Sequence, residues 1–252
     1  MTNEELKKLF IKEVHAAARA RYAVEVFADM VRTMALALES PLTLGERRKA
    51  IEAEYAQIKG RYTEDEFVHF PIALAMVQMA LERHREDFLG HALENLGAAN
   101  THNGQFLTPV CVSRMMAQVG CQGIEYTPGK IISLSDPSCG SSVLLIEGAE
   151  KLLADGVRQA DILIQAGDID GRACDISYVQ LSLLGYAAVV QHMDALANKR
   201  LSPDRFTPCY YLHGVNFRLP RAVSSCGSAN SREAARGSRP QYQQLDLFGA
   251  VA

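Results

Sequence analysis

The sequence lacks the patterns that would place it in several common functional classes. Its six cysteines never form a C-x-x-C pair, and its histidines show no H-E-x-x-H spacing, so we predict no metal site. The first residues lack the basic, apolar and small-residue order of a secretory signal. No apolar run approaches the roughly 18 residues that would span a bilayer, so we expect no membrane partner and a cytoplasmic location.

An excess of charge of one sign is also missing. The chain has 26 basic and 29 acidic residues, which gives a formal net charge of -3. Contact with nucleic acid would then come from a local patch or from a partner subunit. The length of 252 residues and the hydrophobic content of 48% allow one large domain or two small ones.

A helical pattern runs through residues 1–97. Apolar residues recur at helical spacing from about residue 4 to residue 38, which predicts one amphipathic helix. A second helix is expected at about 44–59. A third is expected to open at Thr63, whose hydroxyl can form a capping box with Glu66. Basic residues alternate with acidic ones in this region, so we expect a helical layer that does not read DNA.

The pattern changes after Gly97, where turn-forming residues predict a domain boundary. Residues 98–217 then alternate short apolar runs with helical patterns, which predicts an α/β domain with a parallel sheet. Residues 218–252 have five arginines against one glutamate and predict a flexible basic linker that leads to a C-terminal peptide motif. The expected strands are 130–135, 161–166 and 187–191, and the expected helices are 143–153 and 172–184.

A turn of small residues, D-P-S-C-G-S-S at 136–142, follows the first expected strand. Ligands of open α/β sheets bind at such carboxyl ends, where small residues let the backbone approach a cofactor. The amides of the following helix would face an anionic group such as a carboxylate. An ordinary tight turn between strand and helix is the alternative.

Two motifs resemble those of N6-adenine DNA methyltransferases, both the type I modification subunits and the phage and mobile-element N-6 DNA methylases. Residues 136–141 resemble the signature D-P-x-C-G-S-G. Residues 104–109, G-Q-F-L-T-P, resemble a segment that in this family folds over the cofactor and contacts its methionine end. The resemblance covers about residues 86–214, and the helices before it match only in kind.

The resemblance implies a Rossmann-like, S-adenosylmethionine-dependent methyltransferase sheet of the α/β class, incomplete here and preceded by the helical region. It also implies S-adenosylmethionine as cofactor, adenine N6 in DNA as the methylated group, and a restriction-modification setting with a partner subunit. The residues that it assigns to the cofactor in these two motifs are Phe106, Thr108, Pro109, Asp136, Pro137, Cys139 and Gly140.

Further cofactor ligands are expected where the next two strands end. Asp170 is the preferred ligand of the ribose hydroxyls and Asp168 the second choice, since a carboxylate holds the ribose in such folds. One of the two would otherwise only cap the helix that starts near Arg172. Asp194 is the candidate acceptor for the adenine amino group of the cofactor, and a surface aspartate at a strand end is the alternative.

The family's catalytic tetrapeptide, Asn-Pro-Pro-Tyr or Asn-Pro-Pro-Phe, is absent from the chain. The nearest string is T-P-C-Y, so Thr207, Pro208 and Tyr210 are the candidate catalytic residues. A threonine hydroxyl accepts a hydrogen bond but lacks the planar carbonyl of asparagine, so we expect reduced activity. A second departure is Ser142, which replaces the last glycine of the cofactor turn, where a side chain would crowd a closely bound cofactor.

The C-terminal peptide motif resembles the Q-L-[SD]-L-F peptide with which replication and repair proteins bind the bacterial DNA sliding clamp. Adjacent apolar residues on a polar tail are typical of partner-binding segments. The alternative is that the tail folds back and buries its leucine and phenylalanine on its own domain. The motif consists of Gln244, Leu245, Asp246, Leu247 and Phe248.

Three functions therefore remain open. The first is an adenine-specific DNA methyltransferase that needs a partner or has reduced activity. The second is a catalytically inactive module that binds S-adenosylmethionine or DNA and is tethered to the sliding clamp. The third, less favoured, is a methyltransferase of another substrate class, because residues 104–109 resemble a segment of DNA methylases.

Overall fold

Helices fill the amino-terminal part of the chain, as the apolar periodicity predicts. The structure, a computed structural model, describes residues 2–19, 21–97 and 108–213 and the backbone of residues 243–246. The first helices are α1 (Asn3–Ala18), α2 (Ala23–Glu39), α3 (Gly45–Lys59), α4 (Glu64–Phe67), α5 (His69–Arg83) and α6 (Phe88–Asn95).

The single helix expected over residues 4–38 is wrong, because the chain breaks between α1 and α2. Arg19 has φ 24° and ψ -78°, which is not helical, and Tyr22 is extended. The break lets α1 pack against α5 and also against α2. The apolar stripe therefore continues across a turn and buries Phe10 and Met30 in one core.

The capping box at Thr63 is confirmed. The hydroxyl of Thr63 accepts from the amide of Glu66 at 3.3 Å, and the carboxylate of Glu66 accepts from the amide of Thr63 at 2.9 Å. This box starts α4, and α5 follows after one residue. The predicted third helix is thus present as two consecutive segments.

A mostly parallel sheet follows α7 (Val110–Gly120), as predicted. Its first strands are β1 (Ile132–Asp136), β2 (Ile162–Asp168) and β3 (Ala187–Asp194), with α8 (Val143–Ala154) and α9 (Gly171–Leu183) as the crossover helices. β2 lies between β1 and β3 and is parallel to both. The carboxyl ends of all three strands therefore meet at one edge of the sheet. The D-P-S-C-G-S turn begins at this edge, at the last residue of β1.

The chain turns back after β3. The short strands β4 (Lys199–Arg200) and β5 (Arg205–Phe206) both pair antiparallel with β3. Val190 is opposite Arg205 and Val189 is opposite Phe206, so the returning chain reaches the amino end of β3. The helix α10 (Pro208–Leu212) begins there.

A strand from the C-terminal motif completes the described sheet. β6 (Gln243–Asp246) pairs in parallel with β1, with Gln244 opposite Ser133 and Asp246 opposite Ser135. The strand order is β4-β3-β2-β1-β6, with β5 also on β3. The backbone of residues 244–246 thus lies on the chain's own sheet, and Leu247 and Phe248 lie outside the described residues.

One buried core joins the helical layer to the sheet. It includes Phe10, Phe88, Leu134 and Tyr178, so helices of the amino-terminal region and strands of the sheet share the same apolar interior. The opposite face of the sheet has a smaller cluster, in which Tyr210 packs near Leu163. The domain bounds at 97 and 217 remain predictions. Within the described residues, no helix is both long and apolar enough to cross a bilayer.

The basic residues at the start of α3 are paired with acids. Arg48 lies 2.8 Å from Glu52, and Lys49 lies 2.8 Å from Glu46. Arg47 contacts Glu39 at 2.6 Å. Pairing of this kind leaves no stripe of one sign along α3 for DNA phosphates, in keeping with the expected helical layer.

Candidate functional site

The turn between β1 and α8 follows a tightly constrained path. Two of its residues have left-handed backbone conformations, Gly140 at φ 54° and Ser142 at φ 70°. The amide of Cys139 donates to the carbonyl of Gly167 at 2.8 Å, which ties the turn to the end of β2. A side chain at Gly167 would place its Cβ 3.3 Å from the Cα of Pro137, so a close approach of turn and strand favours glycine there. We call residues 136–142 the cofactor loop.

Ser142 has its side chain on α9. Its hydroxyl donates to the hydroxyl of Ser177 at 2.7 Å, and Ser177 in turn donates to the carbonyl of Gly140 at 2.9 Å. Ser142 is fully buried. The hydroxyl therefore contributes to holding the loop, and the left-handed backbone is the conformation that the glycine of the family signature would adopt without strain.

Two carboxylates lie side by side at the strand ends. Asp136 is opposite Ala166 on β2, so Asp168 lies two residues farther along the neighbouring strand. Asp136 is 2% exposed and Asp168 is 7% exposed. Within the described residues, no salt bridge joins either one to a lysine or arginine. Burial raises the pKa of Asp136 to about 6; the amide of Ser138 opposes this shift and the charge of Asp168 adds to it.

Two backbone amides, one of them in the cofactor loop, hold Asp168 in place. The amide of Gly140 donates to one oxygen of Asp168 at 2.8 Å, and the amide of Asp170 donates to the other at 2.9 Å. Each carboxylate oxygen retains a second lone pair. Asp168 therefore stands at the meeting point of the cofactor loop and β2, and it can accept from a further donor.

Asp170 caps α9, which is the structural role that the sequence offered as the alternative for Asp168 or Asp170. Its carboxylate accepts from the amide of Arg172 at 2.9 Å, which caps α9, and pairs with the Arg172 guanidinium at 3.1 Å. The structure brings Asp168 to the cofactor loop, and it places Asp170 on the helix start beside the loop. Both residues remain predictions as ribose ligands.

The remaining predicted cofactor ligands have mixed positions. Asp194 ends β3 and accepts from the amide of Ala197 at 2.9 Å, so it stabilises the turn after the strand. Thr108 is half-buried and Pro109 is exposed just before α7. Phe106 lies outside the described residues.

The candidate catalytic residues lie toward the amino end of β3. Thr207 is fully buried, accepts from the amide of Ala188 at 2.8 Å and donates to the carbonyl of Tyr186 at 2.6 Å. Through Ile164, Ala188 is level with Leu134 on β1, which is two residues of strand, about 7 Å, before Asp136. Tyr210 is 5% exposed and packs on Phe206.

The structure therefore does not bring Thr207, Pro208 and Tyr210 to the cofactor loop. The physical reason is the antiparallel return of β4 and β5, which carries the chain from the carboxyl end of β3 back to its amino end. They lie near the amino end of β3, whereas the cofactor loop follows the carboxyl end of β1.

Sequence reasoning missed a buried polar group on the other side of the loop. The carboxylate of Asp87 caps α6 and also accepts from the hydroxyl of Ser141 in the cofactor loop. Burial raises the pKa of Asp87, and hydrogen bonds from Ser141, Gln180 and Gly90 oppose the shift. An aspartate directly before an apolar helical run was the available signal for the cap, although not for the contact with Ser141.

A cleft of about 490 Å³ opens beside the amino end of α9. It is bordered by Asp170 and His192 at the strand ends and by residues of α2 and α3. Arg32 and Arg205 in this cleft both contact Asp175, at 2.9 and 2.6 Å. Its other arginines are paired as well, Arg47 with Glu39 and Arg172 with Asp170. No residue of the cofactor loop lines the cleft, and its charges are balanced.

One family model covers the cofactor loop and the three parallel strands. The N-6 DNA Methylase family model matches residues 84–206, a stretch that begins just before α6 and ends just before Thr207. No curated protein matches the chain. A Listeria monocytogenes structure described as a class I S-adenosylmethionine-dependent methyltransferase is 15% identical with a TM-score of 0.46, covering 85% of this chain and 69% of that one.

The matched stretch contains the cofactor loop, the buried carboxylates of Asp136 and Asp168 and the three parallel strands that place them together. The part of this chain that is similar to the N-6 DNA methylase family is therefore residues 84–206.

Proposed function

We propose that the chain binds S-adenosylmethionine at the carboxyl ends of β1 and β2 and serves the methylation of adenine N6 in DNA. The observation that carries the proposal is the pair Asp136 and Asp168, which are buried beside the cofactor loop and form no salt bridge with a lysine or arginine among the described residues. S-adenosylmethionine brings a sulfonium and an ammonium group, and its ribose brings two hydroxyl donors. A cationic donor of hydrogen bonds is the ligand that such a pair of carboxylates favours.

The residues of the loop fit this cofactor. Gly140 and the small side chains of residues 138–142 permit a close backbone approach, and the start of α8 offers amides to the methionine carboxylate. In this proposal Asp168 accepts from the ribose hydroxyls and Asp136 faces the cationic end of the cofactor. When bound, the cofactor supplies an activated methyl group, and the protein has to hold it and exclude water.

The base-binding groups come from outside the described residues in this proposal. Acceptors for the adenine amino group have to stand beside the methyl group, and Thr207 is bonded to Ala188, four residues of strand or about 13 Å before the level of Asp168. A partner subunit or an undescribed part of the chain would supply them. The second candidate function, a cofactor-binding module without turnover, is favoured by this same position of Thr207.

Two measurements on the purified full chain separate the candidates. Calorimetry with S-adenosylmethionine tests cofactor binding, and tritium transfer from labelled cofactor to adenine in mixed-sequence DNA tests turnover. Binding with transfer that is lost in Asp168→Asn supports the enzyme. Binding without transfer supports the module, and no binding by the wild type overturns both. Tyr210→Ala is a poor reporter, because its buried ring packs on Phe206.

We further propose that the C-terminal motif docks on the DNA sliding clamp and that this docking competes with β6. The backbone of residues 244–246 pairs with Ser133–Ser135 of β1, so the same segment is not free to pair with β1 and enter a partner groove at once. Clamp binding by the full chain then includes the free energy of detaching β6. When the motif is bound to the clamp, we expect the edge of β1 that pairs with β6 to be unpaired.

The competition is measured with the clamp, the full chain and a synthetic peptide of residues 241–252. We expect the peptide to bind the clamp more tightly than the full chain, by about tenfold if detaching β6 costs about 1.4 kcal/mol. A chain shortened to residues 1–240 should not bind. Equal affinities of peptide and full chain would contradict the competition, and a peptide that does not bind would contradict the clamp itself.

A further inference from the structure

Asp87 is a buried carboxylate that meets three elements. It is 4% exposed. One of its oxygens accepts from the amide of Gly90 at 2.9 Å and from the side-chain amide of Gln180 at 2.9 Å. The other oxygen accepts from the hydroxyl of Ser141. Within the described residues no lysine or arginine forms a salt bridge with it, so hydrogen bonds alone hold this buried group.

Gln180 closes the network from α9. Its side-chain nitrogen also donates to the carbonyl of Ser141 at 2.9 Å, and its oxygen accepts from the amide of Leu89 at 2.9 Å. Gln180 is fully buried. Buried hydrogen bonds thus fix both the side chain and the backbone of Ser141 to α6 and α9.

Gly90 leaves room for this arrangement. A Cβ at Gly90 would lie 2.2 Å from the carboxylate oxygen of Asp87 that accepts from Ser141, and 2.6 Å from its Cγ. No side chain fits there unless the carboxylate moves. The first turn of α6 is therefore shaped around the position of Asp87.

The network joins the first turn of α6 to the cofactor loop through Ser141. Ser141 follows Gly140, whose amide holds Asp168. Helix α7 is held on α8 by Arg114 and Glu147 at 3.1 Å. Helices α6 and α7 are thus each attached to the loop or to the helix that follows it.

We propose that Asp87 is a positioning residue for the cofactor, acting through Ser141 on the cofactor loop. The inference rests on the proposed binding of S-adenosylmethionine. Asp87 does not touch the cofactor in this proposal. It sets the position of Ser141, and through the adjoining peptide it sets the Gly140 amide and Asp168.

Substitutions that cut the network at different points test the proposal by calorimetry with S-adenosylmethionine. Asp87→Ala removes every acceptor, and we expect about tenfold weaker binding, which corresponds to about 1.4 kcal/mol. Ser141→Ala cuts only the link to the loop and should weaken binding by about three- to tenfold. Asp87→Asn keeps the acceptor for Gly90 and offers an amide to Ser141, so it should bind within about threefold of the wild type.

Thr63→Ala is the matched control. It removes the cap of another helix, α4, at a distance from the loop, so it should lower the melting temperature and leave the affinity within about twofold. A merely structural role of Asp87 predicts that Asp87→Ala behaves in the same way. If Asp87→Ala and Ser141→Ala bind like the wild type at a temperature where all are folded, the positioning role is overturned.

Gly90→Ala supplies an independent readout, because it acts on the same carboxylate. It should weaken binding about as much as Asp87→Ala, and the double variant should be no weaker than Asp87→Ala alone. Additive losses in the double variant would overturn the shared mechanism. A wild type that does not bind S-adenosylmethionine overturns the proposed function instead, so the two failures are distinguishable.

Discussion

The two ends of the parallel strands differ in how well their polar groups are satisfied. At the carboxyl end, Asp136 and Asp168 are buried and form no salt bridge with another described residue, and Ser142 has a left-handed backbone. At the amino end, the hydroxyl of Thr207 both donates and accepts, and Tyr210 packs on Phe206. Buried charge and backbone strain lower stability, so their concentration at one end supports the proposal that this end serves binding.

Substitutions at the two ends should then have opposite effects. At the carboxyl end, removal of a charge should preserve or raise stability and weaken cofactor binding. At the amino end, loss of a hydrogen bond should lower stability and leave cofactor binding unchanged. A result of the same kind at both ends would remove the distinction.

Asp136→Asn should give the largest change in stability. The carboxyl titrates near 3.8 in the unfolded chain and near 6 in the folded one. Between these pH values the folded state keeps a proton that the unfolded state has lost, so the stability of the wild type falls as pH rises through this window. Above pH 6 the variant should be more stable by at most about 3 kcal/mol. Urea unfolding from pH 4 to 8 measures the difference, and a difference that does not vary with pH would contradict the buried charge.

Asp168→Asn should weaken S-adenosylmethionine binding about ten- to a hundredfold, the effect of removing a charged acceptor worth about 1.5–3 kcal/mol. Asp170→Asn is the matched control at the same strand end, because asparagine caps a helix as well as aspartate does. We expect it to change the affinity by less than about threefold in calorimetry. The opposite ranking of the two variants would return the ribose site to Asp170.

The sequence was sufficient for the parts of the fold that have local signals. The apolar runs predicted β1, β2 and β3 to within a few residues, and the D-P-S-C-G-S string predicted the loop after β1. The capping box at Thr63 was equally local. These features depend on residues within a few positions of one another, which is why a single sequence reveals them.

Contacts between distant residues could not be predicted in this way. Gln180 and Asp87 are 93 positions apart, and neither has a local pattern that points to the other. The antiparallel return after β3 reverses the direction of the chain. Thr207 therefore has the position in the sequence that the family's catalytic motif has, but it lies near the amino end of β3. The pairing of β6 with β1 was not predicted either, because Q-Q-L-D has no strand-like alternation.

Thr207→Val should lower stability by about 2 kcal/mol, because the buried amide of Ala188 loses its acceptor. The expected fall in melting temperature is about 4–8 °C for a chain of this size. Thr207→Ser keeps the hydroxyl and should lose less than half as much. Cofactor affinity should be unchanged in both. A variant that keeps its stability but loses methyl transfer would instead support the catalytic role that the T-P-C-Y string suggested.

The smallest effect is expected at Ser142, where strain and a hydrogen bond oppose each other. The left-handed backbone disfavours any L-residue by about 1–2 kcal/mol relative to glycine, and the bond to Ser177 contributes about 1 kcal/mol in the other direction. Ser142→Gly should therefore stay within about 1 kcal/mol of the wild type. Ser142→Ala keeps the strain and, like the glycine variant, loses the bond, so it should be about 1–2 kcal/mol less stable than the glycine variant. Urea unfolding of the three proteins measures both differences, and an alanine variant as stable as the glycine variant would show that the loop relaxes out of the left-handed conformation.

Cofactor affinity of the glycine variant adds a direct test of crowding. An affinity equal to that of the wild type fits a serine side chain that lies on Ser177, and a clearly tighter one would mean that the side chain meets the cofactor.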